Sequence, residues 1–407
     1  MNRSTLLIIV LIVTIIALAA PVAAETTIEW WQFWTDPSIK PTVNRIVAEF
    51  EKANPDIKVK VSDLTWANGH EKIVMALASD RGPDILELGS DWIAQFADAG
   101  HLADITEQTA TDQDKYQGWG MAIYRERIYA RPWILGTRVL FYNRALLRQA
   151  EYADNFIPIS WSNLQEAAIK IDHLGKNTHG WGSNTAEKHR LYKKFLPFFW
   201  SNGARLYTPD GKYCILSSQK GIDALKFYKL LHDSCGYVAN QRGIEDAFLE
   251  GKIGFIISGD WLLKRIELEK RTIDFGTTLI PGPKFTGRSF LGGEFLAVNA
   301  ASDHKQAAMR FIQFVTSPEN QVSFCKANRS ANPSSVVAQN DPYFKSNINL
   351  QTFIKQIYSG VHPPVDPYWV NAEAAIEDAV EDALFGSGMI AEPLHKARKK
   401  IDRSKRK

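Results

Sequence analysis

The sequence predicts an α/β protein built as two successive α/β units, and three observations carry that expectation. Strand and helix signals alternate from residue 27 to residue 99, a second alternating set begins after residue 143, and no low-complexity linker separates the two sets. With 407 residues, 45% of them hydrophobic, the chain can bury a large core, and at roughly 150 residues per domain it has the length for two or three domains.

The amino terminus reads as an export signal. Arg3 precedes the apolar run Leu6 to Ala20, and Pro21-Val22-Ala23-Ala24 ends in an Ala-x-Ala-like site, the three regions of a cleavable signal peptide over residues 1–24. The same run of about 15 residues is short for a bilayer span, which leaves an uncleaved anchor as the competing reading. No cysteine stands beside the cleavage site, which argues against lipid attachment there. Export fits the use of only three cysteines, of which Cys214 and Cys235 lie in one region and could pair while Cys325 is left over. The net charge of +3 is too small to imply a nucleic-acid partner.

Thr27 to Trp34 is rich in β-branched and aromatic residues and reads as a strand, with Asp36-Pro37 as a helix-start signal. Val43, Ile46, Val47 and Phe50 then fall at i, i+3, i+4 and i+7, one apolar helix face that stops at Asn54-Pro55. Ile57, Val59 and Val61 alternate with Lys58 and Lys60 as a half-buried strand. This β-α-β order predicts a parallel sheet. The pattern repeats with a helix through Ile73, Ala76 and Leu77 and a strand over 84–88. Gly89-Ser90-Asp91 caps a helix over 92–99, which Gly100 ends. Ligands of open α/β sheets sit beyond the carboxyl ends of the strands, and here those ends carry Trp34 to Asp36, Trp66, and Ser90-Asp91-Trp92. Three consecutive strand ends present an indole.

The stretch Tyr129 to Asn143 joins the halves. Pro132 fixes φ and pushes Arg131 towards extended backbone, Val139 to Tyr142 favours β structure, and Asn143 to Ala150 reads as a helix start. Beyond it, Ser160-Trp161-Ser162-Asn163 leads into a helix over 164–174, followed by a loop containing Trp181 and an aromatic helix over 192–200. Helical segments at 224–228 and 247–248 precede a short buried strand, Ile253 to Ile257, that ends at Ser258-Gly259-Asp260-Trp261. A return segment, residues 292–298, precedes a helix over 305–315, and the chain ends in the basic tail Arg398 to Lys407.

These stretches together resemble the extracellular solute-binding proteins of ABC transporters, in the branch similar to maltose-binding protein. The resemblance rests on Ile28 to Trp34 after a signal peptide, on residues 82–92 (GPDILELGSDW), on Pro132 to Asn143, on Ile257 to Trp261 and on Gly292-Gly293-Glu294, in the family's order over nearly the whole mature chain. It implies a two-lobed periplasmic binding protein fold with a ligand cleft between the lobes. One lobe would comprise 25–131 and 294–342, the other 144–283 and 353–407. The crossings would lie at 132–143, 284–293 and 343–352. Carried over position by position, Trp34, Asp36, Trp66, Ser90 and Asp91 form one wall of the cleft. Trp133 and Arg138 form its floor, and Trp181, Trp200, Asp260, Trp261, Gly293, Glu294 and Trp369 form the other wall. The implied function is a periplasmic receptor, expected to be a monomer without cofactor or metal, that closes on a carbohydrate and delivers it to the permease subunits of an importer.

The residue types suit that task. A sugar presents a flat face of C–H groups ringed by hydroxyls. Indoles give that face a rigid, polarisable plane, while Asp and Glu accept from neighbouring hydroxyls and Arg donates in a planar fork. A chain with 12 Trp, several beside Asp, Asn or Arg, therefore reads as carbohydrate-facing. Two alternatives stand beside it. The same fold could bind a polyamine, a metal chelate or a glycerophosphodiester. A secreted glycan-acting enzyme could use two of Asp36, Asp91, Asp260 and Glu294 as acid and base. Bland roles also compete: an indole can be core, Asp260 can cap the helix it precedes, and the basic tail can be a solvated end, with docking to an anionic membrane as its other reading. His70-Glu71 lacks the second His of a zinc helix, and Ser258-Gly259 lacks the earlier Gly of a nucleophile elbow.

Overall fold

The computed structural model describes residues 25–405 apart from positions 176, 186, 188 and 189, so the predicted signal peptide lies outside the described residues. The chain begins with β1 (Thr26–Gln32), α1 (Lys40–Ala53), β2 (Ile57–Asp63), α2 (Gly69–Ala78), β3 (Ile85–Gly89) and α3 (Ile93–Asp98). The helical period of Val43, Ile46 and Phe50 buries one face of α1 against the sheet. The start signal is displaced, because α1 begins at Lys40 with Pro41 in its first turn, whereas the Asp36 carboxylate accepts the Ser38 N–H in a turn of its own. At the other end of the unit, Gly100 takes φ +76°, the left-handed conformation that lets the chain leave α3.

The join between the halves is abrupt. β4 (Arg131–Thr137) and β5 (Val139–Asn143) are separated by Arg138 alone, yet they belong to different sheets. After β5, Asn143 caps α4 (Arg144–Gln149) by accepting the Leu146 N–H. The second half continues through α5 (Trp161–Asp172), β6 (His179–Asn184), α6 (Tyr192–Ser201), α7 (Gln219–Cys235), β7 (Gly236–Ala239), α8 (Gln241–Leu249), β8 (Ile253–Ser258), α9 (Trp261–Leu268) and β9 (Phe275–Thr278). The chain then returns through β10 (Ser289–Val298), α10 (Lys305–Val315), α11 (Pro318–Asn328) and β11 (Asn332–Pro333). It finishes in α12 (Ile348–Tyr358), α13 (Trp369–Phe385) and α14 (Ala391–Ser404).

The strands form two main sheets. The first has the order β11-β4-β10-β3-β1-β2, and the short strand Gly360–Val361 pairs with the start of β10. β1 runs parallel to β2 and β3, as β-α-β connections require, but β10 is antiparallel to both β3 and β4. The sheet is therefore mixed rather than parallel throughout, because β10 returns from the other half instead of through a crossover helix. The second sheet has the order β9-β5-β8-β6-β7, with β6 parallel to β7 and β8 and with β5 antiparallel to β8 and β9. Each sheet has its own apolar core, one centred on Trp30, Phe50 and Phe311, the other on Phe195, Phe198 and Tyr228.

Three segments tie the halves together. The Thr137 hydroxyl donates to the Phe290 carbonyl and the Ser289 hydroxyl donates to the Arg138 carbonyl, both at 2.6 Å, so the first two segments are stitched where they pass. The third is α12, which places Leu350 and Ile357 in the first core and Phe353 against Val139 and Phe141 of the second half. Gln356 on α12 also accepts the Ile280 N–H at 2.7 Å.

Two expectations need correction. Trp181 sits on β6 rather than in a loop, paired with both β8 and β7. The suggested Cys214–Cys235 disulfide is absent, since all three cysteines are buried free thiols; the Cys235 thiol donates to the Leu231 carbonyl one turn back on α7.

Candidate functional site

The carboxyl end of β1 and the start of α9 face each other from the two halves, and a hollow of about 520 Å³ lies between them. The first half contributes Trp34 and Asp36, with Asn328 and Ser330 from the end of α11. The second half contributes Glu245 and Arg242 of α8, with Trp261, Lys264 and Arg265 of α9. The halves meet across it. Lys264 Nζ reaches Asp36 at 3.2 Å and Asn328 at 3.3 Å, Arg329 pairs with Glu267 at 2.8 Å, and Asn332 Nδ2 donates to Asp260 at 2.6 Å.

Strand ends set these positions. β8 is buried along its whole length and runs into Ser258-Gly259-Asp260, which presents Asp260 and Trp261 towards the other half. Asp260 occupies the residue before α9 but makes no side-chain cap, so its carboxylate remains free for Asn332. Trp261 is fixed in orientation, because its indole N–H donates to Glu245 at 2.7 Å. Glu245 in turn accepts from Ser258 and Gln241. Arg138, the residue between the sheets, lays its guanidinium over the Trp261 ring at 4.5 Å and over Phe290 at 5.6 Å.

Beneath the hollow lies a cluster of charges. Burial pushes the Asp260 carboxyl up to about 6, against the pull of the Arg138 guanidinium. Glu294 is pushed up to about 7 by burial and by the neighbouring Asp260. Glu87 lies deeper still, where burial and Glu294 hold it well above the usual carboxylate range, although it accepts the Phe33 N–H at 2.9 Å. Burial draws Arg138 down to about 10. Lys194 of α6 donates to the Ile257 carbonyl at 2.7 Å, and burial together with Arg138 lowers its ammonium well below the ordinary lysine value. The result is alternating donors and acceptors in a shielded pocket, where polar contacts are stronger than in water. Asn332 Oδ1 is buried without a hydrogen-bond partner among the described residues, a free acceptor at the same place.

Of the residues singled out in the sequence, Trp34, Asp36 and Trp261 line the hollow, and Arg138, Asp260 and Glu294 stand at its base. Ser90 donates its N–H to the Gly293 carbonyl at 2.9 Å, and Asp91 accepts from the Tyr192 hydroxyl of the other half at 3.5 Å. Gly293 is required by close approach, because a Cβ there would run into the Ile134 carbonyl oxygen. Trp66 stands apart, half exposed and stacked on Phe33 with ring centres 4.2 Å apart.

Four indoles are corrections. Trp181 is edge-on to Phe198 and Tyr228 inside the second core, and Trp200 packs in the same core. Trp369 is buried against Tyr192, and Trp133 is enclosed by Trp30, Trp34 and Phe324 in the first core. Their physical reason is shared: large aromatic area is most effective when removed from water, and these side chains face sheet and helix rather than the gap. The sequence reading missed Glu245, Lys264, Asn328 and Asn332, whose local sequence carries no pattern. Lys194 had a visible signal, a lysine within the apolar helix Tyr-Lys-Lys-Phe-Leu-Pro-Phe-Phe-Trp.

Two α/β lobes joined by three crossings, with polar and aromatic side chains at the strand ends facing a shared gap, define a two-lobed solute receptor. The chain belongs to the bacterial extracellular solute-binding proteins, whose family model matches residues 36–322. Among curated relatives, the diacetylchitobiose binding protein DasA of Streptomyces coelicolor is 26% identical, over 81% of this chain and 77% of its own length. The maltodextrin-binding protein MdxE of Bacillus subtilis is 22% identical, over 84% and 83%. Among solved structures, the sugar-binding protein MalE of Xanthomonas citri superposes with a TM-score of 0.83 at 24% identity, covering 94% of this chain and 98% of that one. UgpB of Mycobacterium tuberculosis, in complex with glycerophosphocholine, does so with a TM-score of 0.80 at 22% identity, covering 93% and 99%. No helix among the described residues is long and apolar enough to cross a membrane, and no cluster there could hold a metal ion.

Proposed function

We propose that this protein captures a carbohydrate, an oligosaccharide, between its lobes and delivers it to the permease subunits of an ABC importer. One observation carries the reading: indoles from opposite lobes, Trp34 and Trp261, line one hollow with hydrogen-bonding side chains of both signs between them. Stacking a sugar on two indoles at about 1 kcal/mol each supplies a quarter of the roughly 8 kcal/mol that micromolar binding requires, and hydroxyl contacts with Asp36, Glu245, Arg242 and Arg265 supply the rest. The names of relatives that bind maltodextrin and diacetylchitobiose support the same ligand class. A ligand that touches both lobes favours the closed arrangement by its difference in affinity for the two states. Asp260 accepts from Asn332, and Glu294 lies in the field of Arg138 beside it. The protein acts as an exported monomer.

A second reading has its own observation. Arg242, Lys264 and Arg265 bring three cations to the hollow, which suits the phosphate of a glycerophosphodiester. Native mass spectrometry of the purified protein, followed by tryptophan-fluorescence titration with maltodextrins, chitooligosaccharides and glycerophosphocholine, separates the two. The carbohydrate reading expects a retained sugar mass or a saturable change with one oligosaccharide series. Saturation by glycerophosphocholine alone would select the second reading, and turnover of a chromogenic glycoside would replace both with a hydrolase.

A further inference from the structure

The cleft leaves one strongly charged feature unexplained, the carboxyl-terminal helix. Residues 391–407 contain eight lysine and arginine residues against Glu392 and Asp402, a net charge of +6; since the whole chain carries +3, the other 390 residues carry −3. The charge is organised by the fold. Leu394, Ala397 and Ile401 bury one side of α14 in the second core, so Lys396, Lys399, Lys400 and Arg403, at i, i+3, i+4 and i+7, form a ridge on the outside. That ridge is one wall of an open groove of about 650 Å³, whose other wall is Tyr368 and Asn371 at the start of α13. Lys396 pairs with Glu392 and Lys400 with Asp378, each at 2.9 Å and each well exposed, which makes both pairs weak and readily exchanged. Lys399 and Arg403 have no carboxylate partner among the described residues. No residue lines both this groove and the cleft.

We propose that the ridge of α14 is a docking surface for the phosphate headgroups of an anionic lipid bilayer. The spacing favours a surface over a single small anion. The four cations extend along about 10 Å of helix instead of converging on one point, so an array of headgroups can engage all of them while one phosphate can engage two. Tyr368 supplies a ring with a polar tip beside them, the side-chain type that settles at headgroup level. Because the opposite side of α14 is packed into the second lobe, a docked molecule holds that lobe against the bilayer and leaves the cleft free to open. The idea is independent of which solute the cleft takes.

The test uses the whole protein and sedimented vesicles, either of phosphatidylcholine alone or of equal parts phosphatidylcholine and phosphatidylglycerol, at low salt. Partitioning onto the mixed vesicles only, lost as the Debye length shrinks with added salt, is the expected result. The double variant Lys399→Ala/Arg403→Ala removes two exposed cations and lowers partitioning on the order of 30-fold, with an unchanged melting temperature and an unchanged tryptophan-fluorescence titration of the cleft. Equal partitioning of the variant and the unaltered protein overturns the proposal. So does binding to neither vesicle. Displacement from the mixed vesicles by millimolar glycerol phosphate would show a site for a soluble anion instead, and tight capture of polyglutamate in preference to vesicles would show an acidic protein partner.

Discussion

At the scale of single residues, Trp181 and Trp261 show how one side chain serves opposite ends. Trp181 lies between helices of the second core, and Trp261 lies at the hollow with its N–H held by Glu245. Trp181→Ala should lower stability by about 3–5 kcal/mol, read from urea unfolding. Trp261→Ala should leave most of that stability intact and weaken ligand binding roughly fivefold to tenfold, read by calorimetry with whichever solute native mass spectrometry identifies. If both variants lost only stability, Trp261 would be packing and not contact. The buried carboxyls give a pH signature. Asp260 and Glu294 rise from 3.8 and 4.5 to about 6 and about 7. The folded state therefore binds more protons than the unfolded state between those values, and stability from these groups is highest at low pH and declines as pH rises towards 7. Asp260→Asn/Glu294→Gln should flatten the fall in unfolding free energy between about pH 4 and pH 7, and a slope identical to that of the unaltered chain would refute the assignment.

The elements show which parts of the fold were legible and why others were not. β1, α1 and β2 announce themselves because one face of each is largely apolar and the other polar, and periodicity reports a half-buried surface well. β6 does not. Its sequence, His-Gly-Trp-Gly-Ser-Asn, has little β-branched character, and it is a strand because tertiary packing overrides propensity: a Cβ on Gly180 would collide with the Ala168 backbone of α5, and one on Gly182 with Ile244 and Ile256. The strand-end residues Trp34, Asp36, Asp260 and Trp261 were readable because sheet geometry puts strand ends at a ligand site. Glu245 from the middle of α8 and Asn328 from the end of α11 reach the same hollow, and Asn332 on the short strand β11 reaches Asp260 beneath it, a placement that only the assembled lobes determine. Glycine at 293 supplies a test of the β4–β10 contact. Gly293→Ala must push the two strands apart, and we expect a loss of about 1–3 kcal/mol in chemical denaturation. An alanine variant as stable as the parent would mean that the strands separate freely there.

For the molecule as a whole, the closure proposed above would draw only modest support from the exposed contacts across the gap. Lys264 and Arg329 reach across the gap to Asp36 and Glu267, but both acidic partners are more than half exposed, so each pair contributes no more than about 1 kcal/mol. A ligand must therefore provide most of the drive to close. Lys264→Ala/Arg329→Ala should raise the radius of gyration of the ligand-free protein in small-angle scattering, while saturating ligand restores the compact value. No change in the ligand-free state would show that the closed arrangement rests on the buried Asp260–Asn332 contact instead.

Arg138 is the single residue between β4 and β5, so a change in its backbone torsions, matched by the two other crossings, alters the distance between points on the two lobes while each lobe keeps its internal geometry. Donor and acceptor fluorophores placed on exposed cysteines, one introduced on α1 and one on α7, would turn solute capture into a change of emission colour. The receptor could then be calibrated as an optical gauge for its solute before that solute has been named.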